Sequence, residues 1–177
     1  MKKQFVLLMM VVAGAAGLQA QNNPLSAELK RFYDGNKTNI MRSAEKMPEA
    51  EYSFKPVDTV RPFSGEVGHA AEWAMNTCAW AKGETPVNPA AGKTSKADLI
   101  AALKQAFDYC DPLYNSLTDA DATKMVKAMG GRDMTKFSVL WFNVMHNNET
   151  YGTMVPYLRI KGIVPPSSEP RPAEKKQ

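Results

Sequence analysis

Apolar residues in this chain recur every three or four positions, in four long stretches that proline or glycine brings to an end. That period lines one side of a helix, so each stretch predicts a helix that needs a partner to cover its stripe. The first, Pro24–Met47, carries Leu25, Leu29, Phe32, Tyr33, Ile40, Ala44 and Met47. Asn23 is its expected cap, Pro24 sits in its first turn and Pro48 stops it. A proline-rich connection, Glu49–Phe63, follows. The second helix, Ser64–Lys82, ends at Gly83 and bears two stripes. One is Val67, Ala70, Ala71, Ala74, Cys78 and Ala81; the other is His69, Trp73, Asn76 and Trp80. A helix with two such stripes is packed on two sides, which keeps His69 off the solvent face.

The third helix, Lys96–Tyr109, starts at a Ser95/Asp98 capping pair and buries Leu99, Ile100, Leu103, Ala106, Phe107 and Cys110. Asp111-Pro112 is expected to break or kink it. A short helix from Thr118 or Asp119 to Met129, stopped by Gly130-Gly131, should come next. The last helix, Lys136–Lys161, is the most apolar; Pro156 should kink it and Gly162 close it. No segment alternates apolar and polar residues like a half-buried strand. The expected fold class is all-α: a four-helix bundle with one short extra helix between the third and last long helices.

Residues 1–20 do not belong to that pattern. Lys2 and Lys3 precede an apolar run, Phe5 to Ala13, and small residues through Ala20 lead to Gln21-Asn22-Asn23. This reads as a secretory signal peptide, too short in its apolar run to span a membrane comfortably. The alternative is an uncleaved anchor. The expected organisation is a leader at 1–20, a helical domain at 21–166 and a disordered, proline-rich, charged tail at 167–177. The mature chain would then be exported, to a bacterial periplasm or the medium, with no membrane contact. An oxidising compartment favours a structural disulfide between Cys78 and Cys110, which lack a CxxC spacing or an adjacent histidine. Such a bridge closes a loop of about 33 residues, and the chain-entropy model assigns it about 3–4 kcal/mol. Two of the 22 basic residues lie in the leader, so 20 face 18 acidic ones in the mature chain. No basic stripe remains for nucleic acid.

Candidate chemistry rests on the two histidines of the sequence. Each has a carboxylate three positions away, Glu66-x-x-His69 and His146-x-x-Glu149, and residues so spaced share a helix face. Imidazole with carboxylate suits Zn, Ni, Fe or Mn in divalent form. A di-iron pattern would need the Glu-x-x-His order twice and further glutamates on the other helices, and these are missing. The competing reading is two histidines hydrogen-bonded or packed in a core. No G-x-S-x-G or phosphate-binding glycine loop is present.

Several fragments in order resemble the DinB/YfiT-like family: Ala44-Glu45-Lys46-Met47-Pro48, Tyr52-Ser53-Phe54-Lys55-Pro56, Arg61-Pro62-Phe63-Ser64-Gly65-Glu66 leading to His69, and His146-Asn147-Asn148-Glu149-Thr150-Tyr151-Gly152 continuing to Gly162-Ile163-Val164-Pro165-Pro166. The resemblance implies a four-helix bundle, often dimeric, that holds a divalent metal with one histidine of the second helix and two, spaced H-x-x-x-H, of the last. His69 and His146 match the first two positions; Thr150 stands at the third. It also implies a metal-dependent enzyme of the hydrolase or transferase kind acting on a small-molecule substrate, with a degenerate three-histidine site. Glu149 is a substitute third ligand, though it is rotated by about 100° from Thr150 on a regular helix. Asn147, Tyr151 and Tyr157 are candidates to orient substrate. The alternative function is a non-catalytic binding or structural module with no metal.

Overall fold

The computed structural model describes residues 23–170; the expected leader lies outside the described residues. Four long helices carry the fold: α1 (Pro24–Lys46), α2 (Phe63–Lys82), α3 (Lys96–Ser116) and α5 (Lys136–Ile160). Between α3 and α5 lie a four-residue helix, α4 (Asp119–Ala122), and a hairpin of β1 (Met125–Ala128) and β2 (Arg132–Thr135). α2 packs on α3 and α5, while α1 packs on α5 and α3, so α1 and α2 face each other across the bundle diagonal. Successive helices on a diagonal need a long link, and residues 47–62 supply it, crossing one end of the bundle.

The helix ends follow local chemistry. Gly83 and Gly162 take the left-handed conformation, at φ 77° and 72°, just past α2 and α5. Ser95 and Thr135 accept the N–H of the third residue of their helices. Asn23 is the N-cap residue of α1, as expected, and its carbonyl accepts from Ala27 N–H, but its side chain makes no capping bond to the helix. Instead the Asp119 carboxylate accepts from the N–H groups of Leu25 and Ser26, and Asn23 Oδ1 accepts from Asp119 N–H. The α1 and α4 starts thus cap each other. The small-residue side of α2 is wholly buried, from Val67 to Ala81. It lets α3 lie close enough for the Cys78–Cys110 disulfide, with Cα atoms 5.5 Å apart. Leu99, Leu103, Phe107, Leu140 and Leu158 fill the remaining core, each buried apolar side chain contributing about 1.5–3 kcal/mol.

Three expectations need correction. The expected helix to Met129 stops at Ala122, and a hairpin takes its place. Its turn, Met129-Gly130-Gly131, holds three successive positive φ angles of 46°, 79° and 87°. Two glycines make that backbone accessible, and Lys127 lies opposite Asp133 at 2.7 Å across the ladder. Pro112 neither breaks nor ends α3, because it sits on the exposed side, where water can reach the carbonyl it leaves unbonded. α5 likewise runs on through the exposed Pro156. Finally, residues 167–170 are held in place rather than disordered. Glu169 pairs with Arg42 at 2.5 Å and Lys46 at 2.6 Å, and Ser167 bonds the Tyr151 hydroxyl. Residues 171–177 lie outside the described residues.

Candidate functional site

The diagonal arrangement leaves α2 and α5 adjacent, with Glu66, His69 and Trp73 of the former turned toward Phe142, His146 and Thr150 of the latter. The two imidazoles meet there, ring centres 4.7 Å apart and planes inclined at 53°. Trp73 stacks on His146 at 4.8 Å and meets His69 edge-on at 6.2 Å. Phe142, one turn before His146 on α5, lies against its ring at 5.8 Å. The aromatic wall packs against both rings and leaves them half-buried. Burial therefore lowers the pKa of His69 to about 4, assisted by the Arg61 charge and by His146. Burial also lowers that of His146, with Glu149 opposing and Arg61 assisting. Both rings are neutral at pH 7, the form that ligates a metal.

The rings border a pocket of about 170 Å³ with Arg61, Glu66, Glu149, Thr150 and Thr153. Glu66 is buried, at 3% exposure, one turn before His69. Burial raises its carboxyl pKa, and Arg61, with Nη1 3.4 Å from Oε1, pulls it partly back. The Thr150 hydroxyl donates to His146 O at 2.9 Å, so it is spent within its own helix. Glu149 stands at the exposed rim. His146 Nδ1 is buried without a hydrogen-bond partner among the described residues.

The three expected substrate-orienting residues do not line this pocket. Asn147 turns into the core, donating to Asn143 Oδ1 at 2.6 Å; Asn143 in turn donates to the Tyr114 hydroxyl at 3.1 Å, which donates to Leu140 O at 2.9 Å. Tyr151 is engaged by Ser167. Tyr157 donates to Arg61 O at 2.6 Å and thus acts through Arg61. Arg61 itself was not among the expected site residues. Glu66 had a signal in its spacing to His69; Arg61 had none, because its reach depends on the path of the 47–62 link. A larger groove of about 710 Å³, lined by Glu49, Tyr52, Lys55 and Ser95 among others, contains neither histidine.

A family model for the DinB superfamily matches residues 33–154, from α1 to the far side of the imidazole pocket. The chain belongs to the DinB superfamily. Solved structures agree on the fold. A DinB-like protein from Bacillus cereus superposes with a TM-score of 0.65 at 15% identity, over 79% of this chain and 95% of that one. A DinB-like protein from Bacillus subtilis gives 0.59 at 18% identity, over 76% and 92%. A mycothiol-dependent maleylpyruvate isomerase gives 0.55 at 15% identity, over 73% of this chain but 59% of the isomerase. No curated protein matches the chain.

DinB proteins often bind metal, and the donors here fit an ion in one respect. An imidazole ligated at about 2.0–2.1 Å holds its ring centre about 3.2 Å from the ion, so two neighbouring ligands sit about 4.5–5.2 Å apart, centre to centre. The observed 4.7 Å falls in that range. A cage of three protein ligands does not fit. The Thr150 hydroxyl is a weak ligand already hydrogen-bonded to His146 O, and no three His, Cys, Asp or Glu side chains among the described residues converge on one point.

Proposed function

We propose that this DinB protein is an exported, metal-dependent enzyme of the hydrolase or transferase kind, with His69 and His146 as the protein ligands of a divalent ion. The observation that carries this reading is the 4.7 Å approach of two neutral imidazoles from helices far apart in sequence, at the wall of an accessible pocket. A bound Zn, Ni, Fe or Mn ion would supply Lewis-acid activation of a water or thiol. The chain supplies the rest. Trp73 and Phe142 hold His146 in one orientation and limit solvent around it. Glu66, with its raised pKa, is a better proton acceptor than a surface carboxylate. Glu149 links the pocket to solvent at its rim. A small-molecule substrate and a homodimer belong to the same reading. Export is supported by the leader sequence and by a buried disulfide. No helix among the described residues is long and apolar enough to cross a membrane.

One observation favours the alternative, a metal-free binding module: the Thr150 hydroxyl is committed to His146 O. Calorimetric titration of untagged, chelator-treated protein with Zn²⁺ and Ni²⁺ separates the two. The enzyme reading expects about one equivalent bound, lost in His69→Ala and in His146→Ala. Absence of uptake of either ion by folded protein leaves the module. Mass spectrometry of the secreted or periplasmic chain tests the leader, expected to be cut after Ala20.

A further inference from the structure

We propose that Arg61 is an anion clamp, and that the ligand of this pocket carries a carboxylate or phosphate group. The inference rests on the imidazole pocket being the ligand site, but it does not require the metal. Arg61 borders the 170 Å³ pocket and is the one cationic side chain in its lining. It also borders an adjoining groove of about 390 Å³, where Lys93 stands and Gly65 and His69 form part of the wall. Its side chain is 54% exposed. Its ion pair with Glu66, at 3.4 Å, is longer than the roughly 2.7–2.9 Å of a strong charge-assisted bond. The guanidinium therefore keeps a forked set of N–H donors facing open space, the geometry that grips an oxyanion with two bonds.

Two features place Arg61 there. Its carbonyl is held by the Tyr157 hydroxyl at 2.6 Å, and the Tyr157 ring is buried beside Phe63 and Phe54. The second is Gly65. A Cβ at that position would stand 3.1 Å from Arg61 Cβ and 3.3 Å from Pro62 Cδ, closer than the about 3.5–4.0 Å at which carbons pack. Glycine inside a helix costs stability relative to alanine, by about 0.5–1 kcal/mol, and here the missing methyl makes room for Arg61. The start of α2 contributes no donors: Phe63 N–H and Ser64 N–H are bonded to Phe54 O and Tyr52 O. Carboxylates of Glu66, Glu149 and Glu72 surround the clamp and disfavour an extended polyanion. What fits is a small compound with its anionic group on Arg61 and its body against the histidines.

The test uses full-length mature protein, chelator-treated, titrated with malonate and separately with inorganic phosphate up to about 20 mM, a range that captures weak millimolar binding. NMR follows the Arg61 side-chain N–H and the backbone amides of Gly65 and Thr153. At least one anion should shift these signals. Arg61→Gln should weaken binding by about tenfold or more, and Arg61→Lys should recover part of it, because it keeps the charge and loses the fork. Gly65→Ala should weaken binding in protein whose amide spectrum outside the pocket stays that of the folded parent, an outcome that general unfolding does not produce. Malonate alone responding assigns a carboxylate, phosphate alone a phosphate ester. The proposal is overturned if neither anion shifts these signals, if Arg61→Gln binds as tightly as the parent, or if the shifts centre on Lys93. A response at Arg61 without any Zn²⁺ or Ni²⁺ uptake leaves the clamp standing and removes the metal reading. Uptake without an anion response removes the clamp alone.

Discussion

Replacing Thr150 by histidine should turn a two-imidazole site into a three-imidazole one. Thr150 lies one turn after His146, is 4% exposed and lines the same pocket. A ring there starts from a position that borders the same pocket as His69. Even partners that only support a ligand are worth about 10–100-fold in metal affinity, so an added ligand should give about 100-fold or more. That factor is about 2.7 kcal/mol. At a fixed excess of ion the folded state gains the same amount, which for a chain of this size raises the melting temperature by about 5–11 °C. The measurement is the increment between chelator and Ni²⁺ or Zn²⁺ in thermal unfolding, taken within each variant. Any loss from crowding at position 150 then cancels. Thr150→Val serves as the control that removes the hydroxyl without adding a ligand. Quenching of Trp73 by Ni²⁺ gives a second readout, since its ring stacks on His146. A folded Thr150→His protein with the increment and quenching of its parent would show that the imidazoles do not share an ion, and the metal reading would fail.

Three further outcomes are expected. Cys78→Ala/Cys110→Ala should lose about 3–4 kcal/mol and melt about 6–16 °C lower, by calorimetry; an unchanged melting temperature contradicts the loop-closure account of the bridge. Tyr114→Phe leaves Leu140 O and Asn143 Nδ2 short of a partner and should cost about 1–3 kcal/mol in urea unfolding, against no change if water replaces the hydroxyl. Acid should weaken the fold through His69. Its pKa of about 4 in the folded chain lies below the ordinary 6.5, so the unfolded chain takes up the proton first. Stability is therefore full above pH 6.5, falls as the pH drops toward 4 and levels off below; with solvent screening at this partly exposed ring the loss is about 1 kcal/mol. His69→Gln should flatten that part of the pH profile, and a profile identical to the parent's refutes the assignment.

Most of the bundle was legible because its punctuation is chemical. Pro24, Gly83, Ser95 and Gly162 each do at a helix end what their backbone or side chain favours, whatever the tertiary context. The disulfide was legible from a pair of cysteines in a chain whose first residues read as a leader. The hairpin was not, because four-residue strands are too short to show a period, and Gly130-Gly131 serves equally as a helix stop or a tight turn. Pro112 misled because the rule for proline ignores which side of a helix it occupies. The order of residues 167–170 depends on Arg42 and Lys46, more than 120 positions away. At the site, the histidines and Glu66 carried a spacing signal, whereas Asn147 and Tyr151 differ from His146 and Thr150 by a single step around α5, enough to send them to other faces.

That single step has a wider consequence. α5 is apolar on nearly every side, so hydrophobic burial alone would accept it in several rotational settings. The chain of bonds from Asn147 through Asn143 to Tyr114 accepts fewer: turning α5 by one residue would strand amide groups in a dry interior. These polar groups act as a detent, trading a little adhesive strength for a fixed angular setting of the helix that aims His146.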